Sequence, residues 1–253
     1  MAHGGGAGEA ARVSVRGRVL LGIGSALVVV LALTVVLAER AGADLSRCER
    51  FAAASAERAE AVTGAGEDLL VIGDSYAAGL RLDRTAASWP SRLPGRVHVA
   101  GFSGSGFSAT ASACTDVSFA ARAAAALRRS GAGTVVVEGG LNDHDQSAAA
   151  VTAGFRQLMQ VLEGRRVVVV GPPAAPARAA EVPAVDRLLA DLAARHGAAY
   201  VATSDLELPY LDDALHLTPE GHRAFGDAVA QRMTQRMAAQ LLNAASNDAA
   251  GGS

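Results

Sequence analysis

The sequence predicts an α/β domain with three layers, in which one parallel five-stranded sheet is covered by helices on both faces. The first observation behind this prediction is a set of short, mainly apolar runs, at residues 69–72, 97–100, 134–138, 166–170 and 199–202. The second is that helical stretches separate most of these runs, and strands that alternate with helices form parallel sheets. No internal repeat or second core is indicated, so residues 65–242 are expected to form a single domain.

The helices of this domain are predicted from hydrophobic spacing and from the residues at their ends. They are expected at residues 115–130, 146–163, 185–196 and 219–242. Gly131 and Gly197 close two of them, and Thr218 followed by Pro219 opens the last. Residues 243–253 are small and polar, and they are predicted to form a disordered tail.

Composition and charge exclude several classes of function. The 253-residue chain has a formal net charge of −2, which offers no general attraction to nucleic acid. The glycines that follow the second predicted strand, at residues 101, 104 and 106, do not match a nucleotide-binding loop, so no cofactor is expected. The two cysteines lack the spacing of a metal site, and no metal is expected either.

The N-terminal part of the chain has the pattern of a membrane anchor. Residues 19–38 are predominantly apolar and uncharged. A helix of this length spans the hydrocarbon core of a bilayer. Arginines in the preceding arm, residues 1–18, predict that this arm is cytoplasmic and that the rest of the chain crosses the membrane. The chain is therefore expected to be a single-pass membrane protein with an extracytoplasmic domain. The alternatives are a cleaved signal peptide, which would release a secreted protein, and a buried core helix.

A juxtamembrane helical segment is predicted between the anchor and the domain, within residues 39–64. It contains Cys48, and Cys114 is the other cysteine of the chain. In an oxidising compartment the two could form a disulfide that ties this helix to the domain. Two buried free thiols are an equally acceptable interpretation, because the sequence does not show whether the residues lie close together.

Chemically distinctive residues follow the ends of the predicted strands. Ser75 comes after the first strand, Gly104 after the second and Asn142 after the third, while Asp213 and His216 lie beyond the fifth. Ligands of open α/β sheets bind at the carboxyl edge, so these residues are expected to meet there. A serine hydroxyl is a weak nucleophile until a histidine takes its proton, and a carboxylate orients that histidine.

The same residues predict how an anionic intermediate would be stabilised. The backbone N–H groups of Ser75 and Gly104 and the side-chain amide of Asn142 could form an oxyanion hole. The alternative for Ser75 is a helix-capping role, which serine often has after a strand. The presence of Asp213 and His216 in the C-terminal half favours the nucleophile.

At these positions the sequence resembles the SGNH (GDSL) hydrolase superfamily. The four sequence blocks of that superfamily are matched, in order, by Gly73-Asp74-Ser75 with Gly79, by Gly104, by Gly140-Leu141-Asn142-Asp143, and by Asp213 with His216. The resemblance implies a flavodoxin-like α/β/α fold, a serine esterase mechanism and no metal. It covers the predicted domain and says nothing about the anchor.

The expected function is therefore that of a membrane-anchored serine ester hydrolase outside the cytoplasm. Its expected substrates are esters with small acyl groups, such as acetylated glycans, because no long apolar lid separates the strands. A monomer is expected. Two alternatives are a non-catalytic binding module with the same fold and an acyltransferase that uses the same residues.

Overall fold

The computed structural model describes the backbone of residues 7–251 and the side chains of residues 28–40 and 42–236. It divides the chain into two compact units, Met1–Arg47 and Cys48–Ser253. The second unit contains the predicted domain.

Five strands form one sheet in the described part of the chain, and all of them are parallel to their neighbours. The strands are β1 (Asp68–Gly73), β2 (Arg96–Gly101), β3 (Thr134–Glu138), β4 (Arg166–Val170) and β5 (Ala199–Val201). Their order in the sheet is β2-β1-β3-β4-β5, which is the flavodoxin-like order. From β1 the chain passes to β2 on one side of the sheet and then to β3 on the other side, so the strand order reverses at β1. The carboxyl ends of β1 and β3 therefore flank the crevice where such sheets bind ligands.

Both faces of the sheet are buried, as the apolar runs predict. In β1, Leu70 and Ile72 join one hydrophobic cluster, while Leu69 and Val71 join the cluster on the opposite face. Successive side chains of a strand point to opposite faces, so an uninterrupted apolar run is needed when helices cover both. The predicted three-layer α/β/α architecture is confirmed.

Six α-helices occur in the described part of the chain, and those predicted within the domain begin and end near the expected residues, except for the start of α3 and the end of α6. They are α1 (Ala7–Glu60), α2 (Ser75–Ala78), α3 (Phe119–Ser130), α4 (Ala148–Val161), α5 (Val182–Arg195) and α6 (Pro219–Gly251). Short 3-10 helices occur at Thr85–Ala87, Trp89–Arg92, Leu141–Asp143 and Pro176–Arg178. Helix α3 starts later than predicted, because the Ser118 hydroxyl accepts a hydrogen bond from the Ala121 N–H and caps the helix at that point. Residues 104–118 are therefore a loop.

Among the described residues, no helix is both long enough and apolar enough to cross a membrane. The predicted span over residues 19–38 falls partly on residues 19–27, whose side chains lie outside the described part of the chain. The span is not supported by the structure and stays a prediction. The predicted tail over residues 243–253 also falls where side chains are not described, although α6 extends to Gly251.

The described contacts that attach the part of α1 in the second unit to the domain include a disulfide, a ring contact and a buried hydrogen bond. Cys48 forms a disulfide with Cys114, so of the two interpretations that the sequence allowed, a disulfide and two free thiols, the structure has the disulfide. The Phe51 ring packs edge-on against Phe102, with 6.3 Å between the ring centroids. The guanidinium of Arg58 is fully buried and donates a hydrogen bond of 3.0 Å to the Ser88 hydroxyl.

Candidate active site

The turn that carries Ser75 follows β1 directly. Asp74 caps α2, because its Oδ1 accepts a hydrogen bond of 2.9 Å from the Tyr76 N–H, and Ser75 is the first residue of the helix. A Cβ atom on Gly101 would lie 2.4 Å from the Ala78 nitrogen, so only glycine lets the end of β2 lie this close to α2. The turn is held tightly on both sides, and Ser75 is 8% exposed.

Asp213 and His216 lie in one closed loop beyond β5. Pairing of Tyr210 with Leu217 closes the loop at its base. Inside it, Asp213 Oδ1 accepts hydrogen bonds from the backbone N–H groups of Leu215 and His216, at 3.1 and 2.9 Å. The second oxygen, Oδ2, lies 2.8 Å from His216 Nδ1. This arrangement fixes the orientation of the imidazole and leaves Nε2 for proton transfer.

The environment of Asp213 keeps its carboxyl group ionised. Desolvation by burial opposes ionisation, but hydrogen bonds from the His216 backbone and ring and from the Leu215 N–H outweigh it. They hold the pKa of Asp213 well below its usual value. A negative charge is therefore present beside His216 at neutral pH.

Two contacts bring this loop to the turn that carries Ser75. The Tyr76 hydroxyl donates a hydrogen bond of 2.5 Å to the Leu215 carbonyl oxygen. The Arg81 Nε lies 3.4 Å from Asp213 Oδ2. Tyr76 is adjacent to Ser75 and Leu215 is adjacent to His216, so the structure brings the two predicted segments together. In the described part of the chain, no hydrogen bond joins the Ser75 hydroxyl to the His216 ring.

Gly104 and Asn142 also lie at this edge of the sheet. Gly104 has φ +79, a left-handed backbone conformation that glycine adopts readily, in the loop after β2. The amide nitrogen of Asn142 donates to the carbonyl oxygen of Ser105 at 2.9 Å and to Asp74 Oδ2 at 3.3 Å. The Asn142 side chain therefore connects the loop of Gly104 to the residue that precedes Ser75.

A sequence profile of the GDSL-like lipase/acylhydrolase family matches residues 71–224, which is more than half of the chain. The chain belongs to this family. The match includes every residue of the expected triad and oxyanion hole, and the predicted family resemblance is confirmed. As a GDSL-family member, the protein is an ester hydrolase of the GDSL type.

Solved structures with the same fold include several esterases. A carbohydrate acetylesterase family member from Sinorhizobium meliloti has a TM-score of 0.57 and 20% sequence identity, and the match covers 68% of this chain and 100% of that chain. The aryl esterase of M. smegmatis has a TM-score of 0.56 and 17% identity, with the same coverage of both chains. At this level of identity the likeness shows the fold. A comparison with curated proteins returned no match.

Beneath the active site of this GDSL-family hydrolase lies a buried pair of acids that sequence reasoning missed. Glu138 ends β3, is fully buried, and accepts a hydrogen bond of 3.3 Å from the Trp89 ring nitrogen. Burial, and then the charge of Asp74, raise the pKa of Glu138 well above its usual value. Burial also raises the pKa of Asp74 to about 7. An acidic residue inside an apolar strand run was the signal that could have revealed this pair.

Asp143 supports the same edge of the sheet from a different loop. Its carboxylate accepts hydrogen bonds from the backbone N–H groups of Phe107 and Ser108, at 3.0 and 2.8 Å. Asp143 is fully buried. It therefore holds the segment after Gly104 beside Asn142, and its oxygens are occupied by backbone donors.

Proposed function

We propose that this GDSL-family hydrolase cleaves esters through an acyl-enzyme on Ser75, with His216 as general base and acid and Asp213 as the residue that orients His216. The main support is the 2.8 Å contact between His216 Nδ1 and Asp213 Oδ2, on a loop hydrogen-bonded to the residue after Ser75. The Ser75 hydroxyl and the ring need not be bonded in the free enzyme, since such contacts often tighten only when substrate binds.

The proposed reaction has two halves. Ser75 Oγ attacks the ester carbonyl carbon while His216 Nε2 accepts the hydroxyl proton, and the new C–O bond forms a tetrahedral oxyanion. Collapse of this intermediate breaks the bond to the alcohol, which leaves with the proton from His216. Water then attacks the acyl-enzyme by the same steps and restores free Ser75. The ionised Asp213 stabilises the imidazolium in both halves.

The oxyanion would be stabilised by three donors. The Ser75 N–H is at the start of α2 and has no acceptor within the helix. The Gly104 N–H is the second donor, and the Asn142 amide is the third. Both hydrogens of that amide have acceptors in the free enzyme, so one must turn to the oxyanion, and the longer bond, to Asp74, is the weaker one. Loss of one such donor typically lowers kcat by about 10²- to 10³-fold.

The proposed substrates carry small acyl groups on glycans or on other alcohols. No long apolar lid is evident in the sequence between the strands, and the structurally similar proteins include a carbohydrate acetylesterase and an aryl esterase. A survey of acetylated glycans and of p-nitrophenyl esters of increasing acyl length would define the acyl group and the alcohol. Faster turnover of long acyl chains would contradict this substrate class.

The decisive experiment compares the wild type with Ser75→Ala. Wild-type protein should hydrolyse p-nitrophenyl acetate, and Ser75→Ala should lose this turnover. Ser91→Ala, a serine outside the site, is the matched control and should keep it. Equal rates for the wild type and Ser75→Ala would reject the enzymatic proposal and favour a binding module. Product analysis with a glycan acceptor separates hydrolysis from acyl transfer, because only a transferase leaves acylated acceptor.

The proposed location is an oxidising compartment outside the cytoplasm, with the chain anchored in the membrane by residues 19–38. Support comes from the disulfide between the two cysteines of the chain and from the arginines that precede the apolar run. Protease treatment of intact cells that express the full chain should digest the domain. Protection from protease would contradict the location, and release of a shorter, soluble chain would indicate signal cleavage.

A further inference from the structure

We propose that Arg81 is a positioning residue of the Ser75–His216–Asp213 triad, and that its charge extends the activity of the enzyme toward lower pH. The inference rests on the proposed function. It starts from one shared atom: Asp213 Oδ2 lies 2.8 Å from His216 Nδ1 and 3.4 Å from Arg81 Nε. The guanidinium and the imidazole therefore contact the same carboxylate oxygen.

The backbone presents Arg81 to this oxygen in an uncommon conformation. Its φ of 68 lies in the left-handed region, which residues other than glycine seldom adopt. The turn is fixed because the Leu80 N–H donates to the Ser75 carbonyl oxygen at 3.0 Å, and the Leu82 N–H donates to the Gly79 carbonyl oxygen at 3.1 Å. The position of Arg81 is thus set by the same short helix that carries the nucleophile.

A second residue with left-handed backbone directly follows Asp213 in the chain. Ala214, next to Asp213, has φ 55, and its carbonyl oxygen accepts a hydrogen bond of 2.9 Å from the Ala177 N–H. In the described part of the chain, the residues other than glycine with positive φ are Arg81, Asp116 and Ala214. Two of these three flank Asp213. Strained backbone of this kind clusters at functional sites, where the surrounding structure maintains it.

The electrostatic consequence follows from the charges at the site. With a neutral imidazole, the charges of Arg81 and Asp213 balance. Protonation of His216 adds a positive charge beside a guanidinium that already shares the carboxylate, so Arg81 opposes it. A neutral His216 is the form that can accept the Ser75 proton. Arg81 therefore extends the activity of the enzyme toward lower pH.

The other ionisable groups around this pair do not supply the same effect. Tyr76 in α2 and Tyr210 in the loop are phenols whose pKa values are raised by burial, so both are neutral. Burial, and then the charge of His216, lower the pKa of His222 in α6 to about 4.

Two further charged residues lie on neighbouring segments. Asp212 is exposed and carries the opposite charge to Arg81. Arg178 belongs to the Pro176–Arg178 segment that contacts Ala214. The described ion pairs of Asp213 are those with Arg81 and His216.

The test is the pH profile of kcat/KM for p-nitrophenyl acetate, a neutral ester, measured on the full chain. Arg81→Gln should move the midpoint of the acidic limb to higher pH by about 0.3 to 0.7 pH units, the shift that a partly exposed ion pair supports. Arg81→Gly should produce the same shift while relaxing the backbone, which separates the charge from the conformation. Arg81→Lys should keep the wild-type midpoint.

Arg84→Gln is the matched control, because it removes the same charge from the same loop. Its midpoint should remain at the wild-type value, and high ionic strength should reduce the Arg81→Gln shift. An unchanged midpoint in Arg81→Gln, or an equal shift in Arg84→Gln, overturns the inference. Wild-type turnover that Ser75→Ala abolishes stands independently of both results, so failure of the Arg81 inference is distinguishable from failure of the proposed function.

Discussion

The hydroxyl of Tyr76 donates a hydrogen bond of 2.5 Å to the carbonyl oxygen of Leu215, across 139 residues of chain. Tyr76 follows Ser75, and Leu215 precedes His216. The Tyr76 side chain is almost completely buried, and burial raises its pKa well above the usual value, so the phenol keeps its proton. This bond fixes the distance between the helix that carries the Ser75 hydroxyl and the loop that carries the His216 imidazole.

Tyr76→Phe is expected to lower kcat by about 10- to 100-fold with little change in KM, because small displacements of a catalytic group are costly in rate. The ring and its packing against Phe225 are retained, so the fold should persist. Stopped assays of kcat and KM, together with a thermal melt, measure the two effects. Tyr200→Phe removes a different, partly buried hydroxyl, bonded to Asp186, and should leave kcat unchanged. Equal kcat values for the wild type and Tyr76→Phe would contradict the positioning role.

Asp213→Asn is expected to lower kcat by about 10³- to 10⁴-fold, because an amide cannot stabilise the imidazolium and favours the wrong tautomer of the ring. Asp212→Asn makes the same change in the exposed neighbouring residue and should have little effect on kcat. Steady-state rates on p-nitrophenyl acetate give the comparison. A greater loss in Asp212→Asn would assign the orienting role to the other carboxylate.

The buried acid Asp74 predicts a dependence of stability on pH. Its folded pKa is raised to about 7 by burial, whereas an unfolded aspartate has a pKa of about 3.9. Between these values the folded state holds a proton that the unfolded chain has released. The contribution of Asp74 to the free energy of unfolding therefore falls as pH rises from about 4 to about 7. His222, with its pKa lowered to about 4, contributes in the opposite direction.

Asp74→Asn isolates the contribution of Asp74, since asparagine caps a helix as well as aspartate and does not titrate. Relative to the wild type, the variant should gain about 2 to 4 kcal/mol of unfolding free energy between about pH 4 and about pH 8. Denaturant unfolding at both pH values measures this gain. Parallel stability curves for the two proteins would mean that Asp74 ionises normally in the folded state.

The disulfide predicts a joint effect on stability and activity. It connects α1 to the loop between β2 and α3, which contains the expected oxyanion donor Gly104. Cys48→Ser combined with Cys114→Ser should lower the free energy of unfolding by about 2 to 4 kcal/mol. The turnover rate should also fall, because the loop loses a constraint near the site.

Thermal melts and ester turnover rates of the wild type and the double variant, measured with and without a thiol reductant, test this prediction. The reductant should convert wild-type behaviour to that of the double variant and should leave the double variant unchanged. A double variant with wild-type stability would show that the bridge does not constrain the domain.

The fold was predictable because its signals are local. The run at residues 69–72 alternates between the two buried faces of β1, and such runs were visible at every strand. The late start of α3 was missed, since the capping action of Ser118 depends on its backbone conformation and competes with the three apparently helical residues before it. The segment predicted to be helical within residues 39–64 belongs to α1, which ends at Glu60.

The sequence by itself predicted which groups would carry the proposed chemistry, because Ser75, Asn142, Asp213 and His216 stand at fixed positions relative to strand ends and turns. Only the tertiary structure decided the contacts between them: the Tyr76 bond to Leu215, the place of Arg81 on Asp213 and the buried pair of Asp74 and Glu138. These contacts join segments far apart in the chain. Local propensity acts over a few residues and does not specify such contacts; packing of helices onto both faces of the sheet does.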